Sequence, residues 1–345
     1  MKGDMIVLDH LGERQVAARL SNGRVDDVLT EPTDGDMPLP GAIYRAIVDR
    51  QFKGQGGVML RLPNGNAFLR QSKGLSPGQP VLVQVTGYAE DGKAVPVTQK
   101  ILFKSRYAIV TPDAPGLNVS RAIRDEEVRI ALMALATEGM EDSAFGLILR
   151  TTAEGAPEDE VFEDITDMRA AAEAVLGDAD GDTPEMLLEG PLPHVLAWRD
   201  WPEAEVVHTT AGGLETLDVL GQLEVLCDDY VSLSGGASMY IEPTRALVAV
   251  DVNTGGDTSP AAGLKANLAA IRELPRQLRC RGLGGQVVLD LAPLSKKDRK
   301  QVEHTLRSAF RTDPIETALV GWTPLGHFEL QRKRERLPLT KRDLA

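Results

Sequence analysis

Two aspartates and an asparagine in the last third of the chain are residue types suited to phosphate chemistry. In Val250-Asp251-Val252-Asn253, residues at i and i+2 of an extended strand face the same side, so Asp251 and Asn253 point together. The run Gln286-Val287-Val288-Leu289-Asp290 is an apolar strand that ends in a second carboxylate. Two carboxylates brought close together repel, and at neutral pH they either share a proton or hold a divalent cation. Oxygen ligands with retained waters suit magnesium, or manganese; no Cys/His cluster lies nearby, so zinc is not expected. Such a metal polarises a phosphoryl oxygen and lowers the pKa of a bound water, while the Asn253 amide orients the phosphate. The expected catalytic residues are Asp251, Asn253 and Asp290, with Asp251 and Asp290 as the metal ligands.

The elements that must hold them read as strand, strand, helix, strand, helix. Ala237–Ile241 and Ala246–Val252 form a hairpin around Glu242-Pro243-Thr244-Arg245, Leu264–Arg281 has helical spacing, and 286–290 returns as a strand. A strand, a crossover helix and a strand place two parallel strands in one sheet, and ligands lie beyond the carboxyl ends of such strands. Alone, either aspartate is an ordinary strand-terminal turn residue. Paired on neighbouring strand ends and followed by a basic helix, they point to a polyanion. Ser295 is expected to cap that helix, with Asp298 in the capping-box position and Lys296, Lys297, Arg299 and Lys300 in its first turns. Cations there oppose the helix dipole. A phosphate ligand explains them, and an ordinary solvated face is the competing reading.

With 345 residues, 42% of them hydrophobic, the chain is long enough for two or three domains. The net charge of −13 looks wrong for a protein that handles nucleic acid, but it is unevenly spread. Residues 265–345 hold 17 Lys/Arg against 9 Asp/Glu, whereas residues 1–264 hold 21 against 42. Cys227 and Cys280 are far apart and in no C-x-x-C pair, so neither a disulfide framework nor a cysteine zinc site is expected. Met1-Lys2-Gly3-Asp4 precedes no long apolar segment, and no stretch has the length and apolarity of a membrane span. A soluble cytoplasmic protein without membrane contact is expected.

Upstream, Met5–Leu8 and Gln15–Leu20 suggest an antiparallel pair ending at Ser21-Asn22-Gly23, before a Glu31–Pro40 linker. Short strands at Ala42–Val48, Gly57–Leu62, Ala67–Arg70, Pro80–Thr86 and Ala94–Thr98, with turns at Pro63-Asn64-Gly65-Asn66 and Glu90-Asp91-Gly92-Lys93, fit a small OB-type barrel. Ser120 is expected to cap a helix over roughly 121–138. Phe145–Leu149 reads as a strand running into Arg150-Thr151, and an acidic helix covers about 158–176. Gly177-Asp178-Ala179-Asp180-Gly181-Asp182 superficially suggests a calcium loop and is read as an acidic surface turn.

Six segments in register resemble the catalytic core of the ribonuclease E/G family: Ser234-Gly235-Gly236-Ala237, Ala249–Gly255, Asn267-Leu268, Arg276-Gln277-Leu278-Arg279, Leu283-Gly284-Gly285 and Val288-Leu289-Asp290. The resemblance implies that 234–345 is the family's DNase I-like catalytic subdomain, with Asp251 and Asp290 as magnesium ligands and Asn253 as the phosphate-orienting amide. Glu329-Leu330-Gln331-Arg332-Lys333-Arg334 resembles its basic stretch near the active site, which implies RNA contacts from Arg332, Lys333 and Arg334, Arg332 first among them. Tyr44, Phe68 and Lys93 resemble parts of its OB-fold RNA-binding domain, and Phe145–Thr151 its pocket for an RNA 5′-monophosphate. Arg150 and Thr151 would bind that phosphate; Arg150 as a cap on a strand end is the competing reading.

The implied fold class is a multi-domain α/β chain. Residues 1–40 and 191–233 would form a reduced RNase H-like subdomain, 41–100 an OB fold, 101–190 a sensor-like region and 234–345 the catalytic subdomain. Val58 stands where the family stacks another aromatic, so weak base stacking is expected. Gly256-Asp257 stands where family members often have a basic residue, so lower local phosphate affinity is expected as well. The paired-cysteine zinc link of larger members has no counterpart before Ala345, so no zinc-linked dimer is expected and the oligomeric state is open. The implied function is magnesium-dependent hydrolysis of single-stranded RNA, favouring 5′-monophosphorylated substrates. A non-catalytic RNA-binding relative and a metal-dependent nuclease acting on DNA are the alternatives, since an aspartate pair does not distinguish ribose from deoxyribose.

Overall fold

The computed structural model describes residues 3–52, 56–70, 74–90 and 92–344. Asp91 of the expected Glu90–Lys93 turn, the opening Met1-Lys2 and the final Ala345 lie outside the described residues. The fold is mixed α/β, with four sheets among the described residues. The chain divides into two compact units, one of residues 1–33 and 203–345 and the other of residues 34–202.

In the first unit, strands Asp4–Leu11, Arg14–Ser21 and Arg24–Thr30 form an antiparallel meander, joined on its far edge by Val206–His208 in parallel. Asn22 and Gly23 turn the second hairpin with φ of 51° and 79°, the left-handed pair that matches strand twist in a two-residue loop. The third strand, Arg24–Thr30, goes beyond the expected antiparallel pair. Val7, Val16, Leu20, Val25 and Val28 pack under the short helix Val219–Leu226.

The second sheet of this unit has six strands in the order Tyr230–Ser232, Ser238–Pro243, Val248–Asn253, Gly285–Asp290, Phe328–Arg332, Thr317–Trp322. Only the central pair, 248–251 against 287–290, is parallel, and the helix Ala262–Cys280 makes the crossover. Met239, Ile241, Val250, Val252, Val287, Leu289 and Leu330 alternate onto one face, which the helices 262–280 and Arg299–Arg311 cover. Burial at every second residue leaves the opposite face to solvent. The basic helix starts at Arg299, later than expected. Ser295 donates to the Asp298 carboxylate at 2.6 Å and its carbonyl accepts from Asp298 N, so a separate turn precedes the helix and Lys296 and Lys297 lie in that turn.

In the second unit, Ile43–Phe52, Gly57–Leu62, Gly65–Arg70, Val95–Thr98 and Pro80–Val85 follow one another around a sheet that closes by pairing 80–84 with 43–47. This is a closed five-stranded barrel, compatible with an OB-type fold. Its interior holds Val58, Leu60, Leu69, Val83 and Val97, with Tyr44 buried among them. A second core joins the four-stranded sheet around Ala108–Thr111 and Gly146–Leu149 to the helices Glu126–Met140 and Glu158–Gly177. The first of these helices begins five residues later than expected, because Asp125, not Ser120, is its N-cap: the carboxylate accepts from Glu127 N at 2.9 Å and Val128 N at 3.3 Å. The Ser120 hydroxyl instead accepts from Ala122 N and meets the Thr151 hydroxyl at 3.0 Å. Around 178–183, backbone carbonyls of Asp178, Asp180 and Thr183 converge on the buried Arg45 guanidinium, which also pairs with Glu185. An arginine thus occupies the concave side of the turn that superficially suggested calcium.

Candidate functional site

Parallel pairing sets Asp251 directly opposite Asp290 on the open face of the six-stranded sheet, so their backbones are one strand spacing apart, about 4.8 Å. Both are exposed, as is Asn253, whose amide donates to the Asp251 carboxylate at 2.8 Å. The three expected residues are therefore brought together. On the other side of Asp290, His327 Nδ1 lies 3.3 Å from its carboxylate oxygen. His327 sits at the foot of the 317–332 hairpin, held by Thr323, whose N–H donates to its carbonyl and whose hydroxyl accepts from its N–H.

This donor set fits a hard divalent cation. Two carboxylates on an open face supply charged oxygen ligands and leave coordination positions for water and a phosphoryl oxygen, the arrangement magnesium prefers. Among the described residues no group of three or more His, Cys, Asp or Glu side chains is arranged to enclose a metal.

The loops around the pair are fixed by close packing. Asn267 is fully buried in the crossover helix; its amide donates to the Ala292 carbonyl and accepts from Ala292 N, each at 2.9 Å, two residues past Asp290. Gly263 lies so close to Pro293 that a Cβ would fall 2.1 Å from its carbonyl oxygen. Beyond Asn253, Gly255 has φ of 62° and the same closeness to the Gly236 carbonyl, 2.1 Å. The Asn267-Leu268, Ser234-Gly235-Gly236 and Thr254-Gly255 motifs thus seat the loops that follow the two carboxylate strands.

In the basic stretch Arg332, and in its companion motif Arg276 and Arg279, are tied into the fold. Arg332, expected to meet RNA, is fully buried, facing the buried Asp313 at 3.1 Å and donating to Thr317. A strand residue pointing into the core cannot reach a phosphate in solvent, so Arg332 is corrected to an internal ion-pair member. Its neighbour Lys333 is exposed and pairs with Glu335 at 2.6 Å; Arg334 is partly buried beside Gly285. Arg279 joins Asp26, Asp27 and Asp313, and Arg276 donates to the Val25 carbonyl, so Arg276-Gln277-Leu278-Arg279 ties the crossover helix to the strand Arg24–Thr30. Burial lowers the Arg332 guanidinium pKa despite Asp313; burial acts likewise on Arg279, but its three carboxylates outweigh it and raise the value.

In the other unit, Phe68 is half-buried on the outer barrel wall and meets Phe52 edge to face at 6.3 Å, with Arg50 stacked over Phe52 at 5.3 Å. Val58 lies in the barrel interior, so the second aromatic comes from Phe52 on the neighbouring strand and not from that position. Gly57 makes room for the ring: a Cβ there would fall 2.3 Å from the Phe68 ring tip. Lys93 is exposed and paired with Glu90 at 2.7 Å.

Arg150 is anchored to backbone. Its guanidinium donates to the carbonyls of Ser105, Arg106 and Arg199 and to the Asp200 carboxylate at 3.0 Å. Asp200 also meets Lys104 at 2.7 Å and Arg199 at 2.8 Å. Burial raises its pKa, but Arg199 and Lys104 outweigh that and hold it at about 2. Burial lowers the pKa of Lys104 and of Arg150 despite Asp200. Three cations around one carboxylate leave a net positive cluster beside Thr151. Sequence reasoning missed Asp200, Lys104 and Arg199, which a scan for charges near Arg150 could not find because they come together only through the turn of the helix Pro193–Asp200. It also missed His327 and Phe52.

Comparison with known proteins shows the family. The profile of the Ribonuclease E/G family matches residues 103–211 and 203–335. A Ribonuclease E from Synechocystis sp. is 30% identical over 93% of this chain and 54% of its own length. A Ribonuclease E from Nostoc sp. is 28% identical over 94% of this chain and 55% of its own. The Ribonuclease G of Escherichia coli strain K12 is 28% identical over 75% of this chain and 60% of its own. The chain spans little more than half the length of these curated relatives. By its sequence along most of its length, this chain belongs to the ribonuclease E/G family.

Proposed function

We propose that this chain carries the catalytic part of an endoribonuclease that hydrolyses phosphodiester bonds in single-stranded RNA with magnesium, or manganese in its place, leaving a 5′-phosphate and a 3′-hydroxyl. The observation that carries this reading is the parallel register that sets Asp251 opposite Asp290, with the Asn253 amide 2.8 Å from the first carboxylate. In this reading Asp251 and Asp290 hold the cation, which when bound supplies positive charge to a phosphoryl oxygen and to the attacking water. Asn253 donates to a non-bridging phosphate oxygen and fixes the scissile bond over the sheet. Because the protein presents few ligands, the remaining positions stay with water and substrate.

The same reading makes the 230–332 sheet with its two helices the DNase I-like subdomain. The sheet of strands 4–30 and 206–208 is then the reduced RNase H-like part, and the barrel the OB-type RNA-binding domain. Phe52 and Phe68 would stack bases and Arg50, Lys93, Lys333 and Arg334 would meet phosphates. A 5′-monophosphate would be drawn to Lys104, Arg150 and Arg199 beside Thr151, in competition with Asp200. The cytoplasm, with free magnesium and RNA, is the compartment this activity requires; among the described residues no helix is long and apolar enough to cross a membrane.

The test is incubation with fluorescent RNA and DNA oligonucleotides of one sequence, in magnesium or in EDTA. Cleavage of RNA alone, in magnesium alone, is the expected result. Binding of RNA without cleavage makes the chain a non-catalytic RNA-binding relative, and equal cleavage of DNA makes it a nuclease indifferent to the sugar. Comparison of 5′-hydroxyl and 5′-monophosphate ends then tests the cationic cluster, where equal rates remove Arg150 and Thr151 from substrate recognition.

A further inference from the structure

The open face of the six-stranded sheet carries an aromatic pair in the same row as the two aspartates. Backbone register sets Tyr230 opposite Tyr240, Tyr240 opposite Asp251, and Asp251 opposite Asp290. The two rings meet edge to face with centroids 5.4 Å apart and planes at 66°. Tyr230 is 49% and Tyr240 41% exposed, while their strand neighbours Val231, Met239 and Ile241 fill the core on the other face. The fold does not need these rings for its interior, and a contiguous pair of exposed aromatics is the informative exception to burial.

We propose that Tyr230 and Tyr240 form a base-stacking platform that receives the unpaired nucleobase flanking the scissile phosphate. The proposal rests on reading Asp251 and Asp290 as the cleavage centre. Three observations support it. First, Tyr240 is one strand spacing from Asp251, about 4.8 Å, and Tyr230 one further, a span over which a nucleotide can reach from its phosphate to its base. Second, the next row of the open face sets Glu242 opposite Ala249, Val288 opposite that, and Glu329 opposite Val288. Carboxylates there repel a phosphate backbone, so on that row the attraction comes through the bases. Third, an aromatic face accepts any base but needs the base unstacked, which selects single strands without selecting sequence. The platform therefore acts as a specificity-determining subsite for unpaired RNA, separate from the barrel wall that holds Phe52 and Phe68.

The test uses an RNA oligonucleotide with one mapped cleavage position, carrying either an abasic nucleotide or 2-aminopurine at each successive position. Tyr240→Ala is expected to lower kcat/KM roughly five-fold or more, whereas Tyr240→Phe retains it because the ring and not the hydroxyl stacks. In the wild-type protein, an abasic nucleotide at one position beside the cut should cost the same factor. In Tyr240→Ala the same lesion should cost nothing further. The 2-aminopurine fluorescence at that position should be quenched by wild-type protein and not by Tyr240→Ala. Both tyrosines are exposed, so the variants should melt like wild type; Tyr240→Leu, with the abasic series on unmodified protein, covers a variant that does not. Wild-type cleavage with Tyr230→Ala and Tyr240→Ala unchanged overturns the platform and leaves the aspartate reading standing. So does a change confined to self-association, which makes this edge a surface between copies. A wild-type protein inert towards RNA overturns the aspartate reading and the platform together.

Discussion

The Asn267 side chain exchanges two 2.9 Å hydrogen bonds with the backbone of Ala292, one donated to its carbonyl and one accepted from its N–H. Both residues are buried, so no water can replace the lost partner. Asn267→Ala should destabilise the protein by about 2–6 kcal/mol, two unsatisfied backbone groups at about 1–3 each, read as a shift in the urea midpoint. Asn267→Asp, which sets a carboxylate oxygen against the Ala292 carbonyl in the interior, should destabilise at least as much. Because the clamped loop follows Asp290, kcat should fall in the folded fraction of either variant.

Asp251→Asn and Asp290→Asn should each lower cleavage roughly a hundred-fold or more, as expected when a charged group serving the transition state is removed. Neither should melt earlier than wild type, since removing one of two facing like charges relieves repulsion. Titration calorimetry with manganese should show weakened binding in both. A variant with normal turnover would remove its aspartate from the centre.

Arg332→Ala and Lys333→Ala should separate a structural cation from a surface one. Removing Arg332 leaves the Asp313 carboxylate in the interior with the Ile315 N–H at 3.1 Å and the Arg279 guanidinium at 3.4 Å, at a cost of about 3–5 kcal/mol. Lys333→Ala should shift stability by no more than about 0.5 kcal/mol. If Lys333 meets a phosphate, its loss should reduce the salt slope of RNA binding by about one. Equal stability of the two variants would contradict the burial of Arg332.

Asp200 ties folding to acid pH. Its carboxyl is held at about 2 against an ordinary 3.8, so its contribution is complete above the ordinary value and is lost as pH falls through the lower one. The side chain is 30% exposed, so the contribution is at most about 2 kcal/mol before solvent screening. Asp200→Asn should therefore be less stable than wild type near neutral pH, and the two unfolding curves should converge in strong acid. A difference independent of pH would assign the effect to packing.

Gly57→Ala would push a methyl group into Phe68. The ring, and with it the Leu69 carbonyl 2.9 Å from the new methyl, must shift, and affinity for single-stranded RNA should drop by about the 1–3 kcal/mol that one stacked base contributes. Fluorescence anisotropy with a catalytically dead Asp251→Asn background would measure it. Unchanged affinity would take Phe68 out of the RNA path.

The sequence by itself determined the strand–helix–strand unit and the placement of Asp251, Asn253 and Asp290. Both follow from short-range rules: alternate apolar residues in Val248–Asn253 and Gly285–Asp290 define strands, and a helix between them forces parallel neighbours. The barrel strands were legible for the same reason, by alternation and turn residues. What only the tertiary structure decided is which side chains meet across strands and loops far apart in the chain. Arg332 and Lys333 look alike in sequence, yet the pleat turns one into the core beside Asp313 and the other to solvent. Arg150 stands as the single cation of Phe145–Gly155 until the helix Pro193–Asp200 delivers a carboxylate to it. Tyr230 and Tyr240 join the aspartate row only through the pairing register. A one-residue slip would turn each to the other face, and no local pattern at either tyrosine fixes that register.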